Sequence, residues 1–175
     1  IISISIIIVL NIITFFGVEI SGILVSVLAI LSIGIMLSVI FPGIFIMDVT
    51  NFTPFFSFGV LPVFITIFFL AESFFGWEST TFLAEETKNP EKVIPKAMIY
   101  GTVIVGVLAT LVTVMSLGII PWKTLAENSA PLSLVFGSIY GSFGKFMNYG
   151  IFLSLIGAAA GGIVTIPRLI LALAR

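Results

Sequence analysis

Two carboxylates, Glu72 and Glu78, interrupt an otherwise uncharged apolar run between residues 60 and 84. An ionised carboxylate at the centre of a membrane-spanning helix costs about 3 kcal/mol, so each one requires a compensating reason. Burial disfavours the charged form of a carboxyl group, which makes both side chains candidates for carrying a proton. They are six residues apart, which puts them on different faces of an unbroken helix and does not indicate a shared metal or an acid–base pair. The alternatives are a salt bridge with a basic side chain elsewhere in the bundle, or exposure to an aqueous vestibule where the helix leaves the membrane.

The backbone around Gly76 is the second feature that could do chemistry. Glycine is a poor helix residue, and the apolar segments on its two sides are each too short to cross a membrane alone. This pattern is typical of a discontinuous helix at the central site of a transporter. The interruption frees carbonyl groups that can hold an ammonium group or a cation, and N–H groups that suit an anion.

The composition indicates that membrane helices must position these groups. Of the 175 residues, 59% are hydrophobic and 9% are charged, and the mean hydropathy is +1.33. Lipid must therefore be part of the solvent. Since the chain has no Cys and no His, thiol nucleophiles, Ser-His-Asp triads and Cys- or His-based metal sites are excluded, and we expect no metal and no cofactor. A net charge of -1 offers no basic surface for nucleic acid.

Uncharged stretches long enough to cross the hydrocarbon core predict five spans, the first of them cut short. They cover residues 1–16, 21–41, 60–84, 97–119 and 146–173. The charged loop 85–96 is predicted to be cytoplasmic, because most basic side chains then lie inside. The inside set is Lys88, Lys92, Lys96, Arg168 and Arg175, and the outside set is Lys123 and Lys145. Residues 120–145 then form an outer loop, which either carries one or two short surface helices or is a solvated connector. Because Ile1 opens inside an apolar run, we expect a fragment of a longer protein.

Small residues recur at helical spacing in the last two spans and predict close helix packing. They are Gly150, Ser154, Gly157, Gly161 and Thr165 in the last span, and Gly106, Ala109, Thr113 and Ser116 in the span before it. No binding site is inferred from them.

Two neighbouring motifs resemble a known transporter family. Residues 68–80, FFLAESFFGWEST, and residues 84–97, AEETKNPEKVIPKA, resemble the sixth span and following loop of the amino acid-polyamine-organocation transporters. Residues 17–22, 121–131 and 168–175 are similar to that family's link between spans four and five, its outer loop after span seven and the end of its span eight. The resemblance implies an all-α integral membrane fold of two inverted five-helix repeats, with this chain covering roughly spans four to eight.

The resemblance also implies the site residues. In that family the amino group of the substrate meets the unwound backbone of span six, and the corresponding residues here are Ala71, Glu72, Ser73, Phe74, Phe75 and Gly76. Glu72 stands where the family usually has an apolar or aromatic residue, and a carboxylate there favours a cationic side chain, an amine or proton coupling. Glu78 and Glu72 are the candidate proton-coupling groups. Some proton-coupled members place a Lys in span five, where this chain has Ser32.

The function implied is secondary active transport of amino acids or related amines by alternating access, either coupled to protons or sodium or operating as exchange. The expected partners are the small-molecule substrate, the coupling ion and membrane lipid, and the expected location is the cell (plasma) membrane, crossed several times. The alternatives are transport of another organic cation or polyamine, an intramembrane enzyme, and an inert fragment that lacks span one. The carboxylate spacing and the absence of His give the enzyme no recognisable catalytic set.

Overall fold

The computed structural model describes residues 2–55, 58–72 and 76–174. These ranges form seven α-helices: α1 (Ile2–Phe15), α2 (Val18–Ile46), α3 (Leu61–Glu72), α4 (Pro90–Ile119), α5 (Trp122–Glu127), α6 (Pro131–Tyr140) and α7 (Gly144–Leu173). Three further segments are 3₁₀ helices: Val49–Phe52, Trp77–Glu86 and Gly141–Phe143. The all-α architecture predicted from the sequence is confirmed.

Helix α2 lies at the centre of the bundle, where it packs against α1, α4, α6 and α7. On one side, Val39 of α2 lies in a buried apolar cluster with Met115 of α4 and with Val135 and Phe136 of α6. A second buried cluster joins α1, α2 and α7 through Leu10, Leu28 and Ala160. Both clusters include residues of α2, so this helix packs against α1 at one end of the chain and α7 at the other.

Glycines allow α7 to approach α2 closely. A Cβ atom at Gly157 would lie 3.1 Å from Cβ of Leu28, and one at Gly150 would lie 2.7 Å from Cδ1 of Ile35. The helix packing predicted from the small residues is confirmed at these two positions. At Gly161 a Cβ atom would meet nothing within 4 Å, so this part of the α7 surface is open.

Three helical stretches among the described residues are long and apolar enough to cross a membrane: Glu19–Ile46, Pro90–Ile119 and Pro131–Leu171. Ser3–Phe15 and Leu61–Ala71 are shorter apolar helices. In each long stretch only 17% of the most apolar window is buried inside the bundle, so most of its apolar side chains face outward. An exposed apolar surface of this extent is stable only against lipid or further apolar protein.

The connection between α4 and α7 contains two short helices, but α6 is more than a surface helix. Val135 and Phe136 are 0% and 1% exposed, and the Tyr140 hydroxyl donates to the Ser38 carbonyl of α2 at 2.7 Å. Serine and glycine residues lower the mean hydropathy of this segment. Its apolar residues are therefore missed when spans are predicted from the spacing of charges. Helix formation gathers those apolar residues on one face, and that face joins the core.

Helix α4 begins at Pro90, ahead of the predicted membrane span 97–119. Asn89 precedes it in the left-handed region at a φ of 54°, which Asn tolerates better than most residues. Pro90 occupies the start of the helix, where a missing N–H costs nothing, and the negative charge of Glu91 is favourable near the helix N terminus. A count of apolar residues misses this start because the charged first turns do not need to be in lipid.

The connection after α2 is fastened to the end of α4. Oδ1 of Asp48 accepts hydrogen bonds from the Thr50 hydroxyl at 2.7 Å and from the Thr50 N–H at 2.8 Å. These two bonds hold the pKa of Asp48 below its ordinary value of 3.8. The Asp48 N–H and the Asn51 side-chain amide both donate to the Gly118 carbonyl, at 2.8 and 2.7 Å. The C-terminal ends of α2 and α4 are thereby held together.

Candidate functional site

The apolar run between residues 60 and 84 is interrupted where the sequence predicts. Helix α3 ends at Glu72, and a new helical segment begins at Trp77. We call α3 the first half-helix and Trp77–Glu86 the second half-helix. We call the stretch between these two helical segments the interruption.

The predicted substrate residues fall at or inside this interruption. Ala71 is exposed in the last turn of α3, Glu72 is the last residue of that helix, and Gly76 caps the second half-helix. The side chain of Glu72 lies outside the described part of the chain. Three of the predicted residues lie wholly outside it: Ser73, Phe74 and Phe75. The structure describes the two ends of the predicted site. The roles of its six residues stay predictions.

Gly76 and Glu78 form the turn that starts the second half-helix. Gly76 has a φ of 98°, in the left-handed region that a side chain rarely adopts. Oε2 of Glu78 accepts a hydrogen bond from the Gly76 N–H at 2.9 Å, and the Ser79 N–H donates to the Gly76 carbonyl at 3.0 Å. A carboxylate at a helix N terminus pairs with an N–H that has no partner within the helix. This geometry gives Glu78 a capping contact, and its proton-coupling role stays a prediction.

The second half-helix has 3₁₀ geometry over all ten of its residues. Runs of this kind longer than three or four residues are uncommon and often mark a functional hinge or strain. Threonine hydroxyls support the chain, since Thr80 donates to the Trp77 carbonyl at 2.9 Å and Thr81 donates to the Glu78 carbonyl at 2.6 Å. The Trp77 ring lies against α4, where a Cβ atom at Gly101 would be 3.0 Å from it.

The far end of the second half-helix is tied to α7 by an ion pair. Nε of Arg168 lies 2.9 Å from Oε2 of Glu86. Both residues belong to the side predicted to be cytoplasmic, and their pairing was not predicted. A single Arg near the end of an apolar helix is a signal for such a partner, because a cation at that depth is rarely left unpaired.

The first half-helix is packed very differently. Residues 61–71 are all exposed, and within the described ranges α3 makes no extensive contact with another helix. It borders an open cavity of about 680 Å³ whose lining includes Phe52, Phe55, Phe58, Pro62, Ile67 and Trp122. The rings of Phe58 and Trp122 meet edge to face at 5.6 Å. This cavity was not predictable from the sequence, because its walls come from distant parts of the chain.

The family model described as amino acid permease matches residues 1–175. The chain belongs to the amino acid permease family. The resemblance to the amino acid-polyamine-organocation superfamily is therefore confirmed over the whole chain. Together with the three helices able to cross a membrane, membership makes this permease chain part of an integral membrane protein.

Curated relatives of the permease chain are named as exchangers, permeases and transporters. The serine/threonine exchanger SteT of Bacillus subtilis is 35% identical over 105 residues, covering 57% of this chain and 23% of SteT. Cationic amino acid transporter 9, chloroplastic, of Arabidopsis thaliana is 31% identical over 166 residues, covering 91% of this chain and 28% of that protein. The branched-chain amino acid permease BcaP of Lactococcus lactis is 29% identical over 142 residues, covering 75% of this chain and 30% of BcaP.

The permease chain thus spans between 23% and 30% of the length of these three relatives. No solved structure gives a significant match. The family and the relatives are transporters and not enzymes by name.

Proposed function

We propose that the protein containing this permease chain carries amino acids or related amines across a membrane by alternating access around the interruption between α3 and the second half-helix. The observation that carries the proposal is the interrupted helix itself, in a chain of the amino acid permease family. Non-helical backbone at membrane depth is tolerated where it is buried in protein or lines a wet cavity. It offers unpaired carbonyl groups to a substrate ammonium group.

The substrate site in this proposal is the segment from Ala71 to Gly76. The carbonyl groups at the end of α3 carry the negative end of the helix dipole and favour the amino group of the substrate. Glu72 adds a carboxylate at the same end. A second positive charge on the substrate would be stabilised there. We therefore expect cationic amino acids and amines to be better substrates than neutral ones. Several relatives are named as cationic amino acid transporters, which supports this order.

The coupling ion in this proposal is a proton carried by Glu72. Glu78 is the second candidate, although its carboxylate already accepts a hydrogen bond from Gly76. Sodium coupling and substrate exchange are the competing modes, and the name of SteT as an exchanger favours a test of exchange.

The proposal is tested by uptake into proteoliposomes that contain the full-length parent protein. The panel holds labelled neutral, cationic and acidic amino acids and polyamines, with and without an inward proton or sodium gradient. Glu72→Gln removes the charge and keeps the shape of the side chain. Glu127→Gln, at the exposed end of α5, is the matched control.

We expect uptake of a cationic member driven by the proton gradient, lost in Glu72→Gln and retained in Glu127→Gln. Equal uptake by the wild type and Glu72→Gln would assign Glu72 a structural role and remove it from the site. Uptake that requires internal substrate, and no gradient, would establish exchange. A folded parent protein that transports no member of the panel would contradict the proposed substrate class.

We further propose that the protein resides in the cell (plasma) membrane, as the relatives from Bacillus and Lactococcus suggest. Fractionation of cells that express a tagged parent protein tests this. Recovery of the tag with an internal organelle would contradict it.

A further inference from the structure

The ion pair between Arg168 and Glu86 is the feature that the proposed site does not use. It joins residues 82 positions apart, on α7 and at the end of the second half-helix. The Arg168 side chain is only 14% exposed, whereas Glu86 is 39% exposed. A mostly buried guanidinium group that loses its carboxylate partner is strongly destabilised, so the position of Glu86 is set by Arg168 more than the reverse.

Arg168 is also fixed on its own helix. Its Nη1 donates to the Val164 carbonyl one turn earlier. The neighbouring Pro167 removes one backbone donor from α7, which weakens the helix at this point. The planar guanidinium group can donate in two directions at once, to the carbonyl of α7 and to the carboxylate of the second half-helix. One guanidinium group therefore joins α7 to the end of the second half-helix.

The second half-helix is thus held at both ends, by Trp77 against Gly101 of α4 and by Glu86 against Arg168 of α7. The turn that begins it, from Gly76 to Glu78, is the wall of the interruption opposite α3. The second half-helix also packs along α7 and α4, whereas α3 packs extensively against no other element within the described ranges, so the position of this wall depends on α7 and α4. A shift at Glu86 would pass along ten residues of 3₁₀ helix to Gly76.

We propose that Arg168 and Glu86 are a positioning pair that sets the second half-helix on α7 and so fixes the Gly76 turn for substrate binding. This inference rests on the proposed function. Neither residue contacts the substrate in it. Their effect reaches the site through the second half-helix. When the site changes its accessibility, this half-helix must either separate from α7 or move together with it.

The test uses the full-length parent with the variants Arg168→Glu, Glu86→Arg and the double exchange of both. Each single variant places like charges together, and we expect about a tenfold fall in kcat/KM for uptake of whichever substrate the parent accepts. The double exchange restores an attractive pair, and we expect most of the activity to return. Lys88→Glu, which reverses an exposed charge at the same end of the molecule, is the control.

Arg168→Lys separates the two contacts of Arg168, because a Lys can pair with Glu86 but cannot also donate in the fixed fork to Val164. We expect the KM for substrate to rise with little change in kcat. A fall in kcat and in folded yield with an unchanged KM would indicate a purely structural role and overturn the proposal.

Hydrogen exchange supplies a measurement that does not depend on transport. We expect amides of residues 77–86 to exchange about tenfold faster in either single variant, with protection restored in the double exchange and α2 unaffected. If the parent transports nothing, the proposed function fails while this measurement still decides the pair. Unchanged exchange in the single variants, or no recovery in the double exchange, would overturn the positioning pair.

Discussion

At the scale of single residues, the tightest steric constraint lies at Gly144, the first residue of α7. A Cβ atom there would be 2.5 Å from the Phe136 carbonyl oxygen and 2.8 Å from the Gly137 nitrogen. Both atoms belong to the backbone of α6, which cannot rotate away as a side chain can. The same contact seats the buried Phe136 in the core. Glycine at this position is therefore required by packing and not by its backbone angles.

We expect Gly144→Ala to lower the free energy of unfolding by about 2–3 kcal/mol, because α6 and α7 must separate to admit the methyl group. Thermal unfolding in detergent measures this. The control on the same helix is Gly161→Ala, where a Cβ atom meets nothing within 4 Å. Alanine is the better helix former, so this control should be neutral or slightly stabilising. Equal stability of the two variants would contradict the close contact between α6 and α7.

At the scale of helices, the crossing of α2 and α4 is held by two reciprocal glycines. A Cβ atom at Gly43 would lie 2.8 Å from Cβ of Met115, and one at Gly118 would lie 2.9 Å from Cβ of Met47. A Cβ atom moves only with its backbone, so these contacts resist change. The contact of Gly150 with Cδ1 of Ile35 is easier to relieve, because it involves the far end of a flexible side chain.

We expect Gly118→Ala to lower the free energy of unfolding by about 1–2 kcal/mol, by moving Met47 and weakening the hydrogen bonds that the Gly118 carbonyl accepts. Gly106→Ala is the control on the same helix, since a Cβ atom there meets nothing within 4 Å. Faster hydrogen exchange of the Asp48 N–H in Gly118→Ala, and not in the control, would trace the loss to this crossing. A Gly118→Ala variant as stable as the control would contradict it.

The helices show which structural features can be predicted from a single sequence and which cannot. The interruption after Glu72 was predictable because Glu72, Gly76 and Glu78 stand out in an apolar run. The burial of α6 was not, because Phe136 becomes a core residue through contacts with α2, α4 and α7. The same limit applies to the pair of Glu86 and Arg168, which the chain brings together from 82 positions apart. Local patterns predict where the apolar segments lie, and tertiary contacts decide which of their faces are buried.

The roles at the candidate site are predictable only in part for a related reason. A carboxylate in an apolar run indicates that a charged or polar partner lies nearby. It does not say whether the partner is a proton, a substrate or a backbone N–H. For Glu78 the structure supplies a partner, the Gly76 N–H, that spacing alone could not identify. The sequence therefore predicts the interruption, and the roles of the residues at it stay predictions.

At the scale of the whole molecule, the basic residues indicate how the bundle sits in the membrane. Helix α4 has 30 residues and so is about 45 Å long, enough to cross the hydrocarbon core with a turn outside it. Lys92 lies in its first turns, and Lys123 lies just beyond its end on α5. The contact between Glu86 and Arg168 puts the end of the second half-helix beside the C-terminal part of α7. Basic residues near the start of α4 and the end of α7 thus share one end of the bundle, as the positive-inside rule favours for the cytoplasmic side.

We expect Lys123→Cys to react with a membrane-impermeant maleimide on intact cells, and Lys92→Cys to react only after the membrane is permeabilised. The chain has no native Cys, so any other thiols of the parent are replaced before the comparison. Lys145→Cys is the matched control and should follow Lys123→Cys, since both belong to the predicted outer side. Reaction of Lys92→Cys alone on intact cells would invert the orientation. Reaction of Lys92→Cys and Lys123→Cys from the same side would mean that α4 does not cross the membrane, which would contradict the predicted topology.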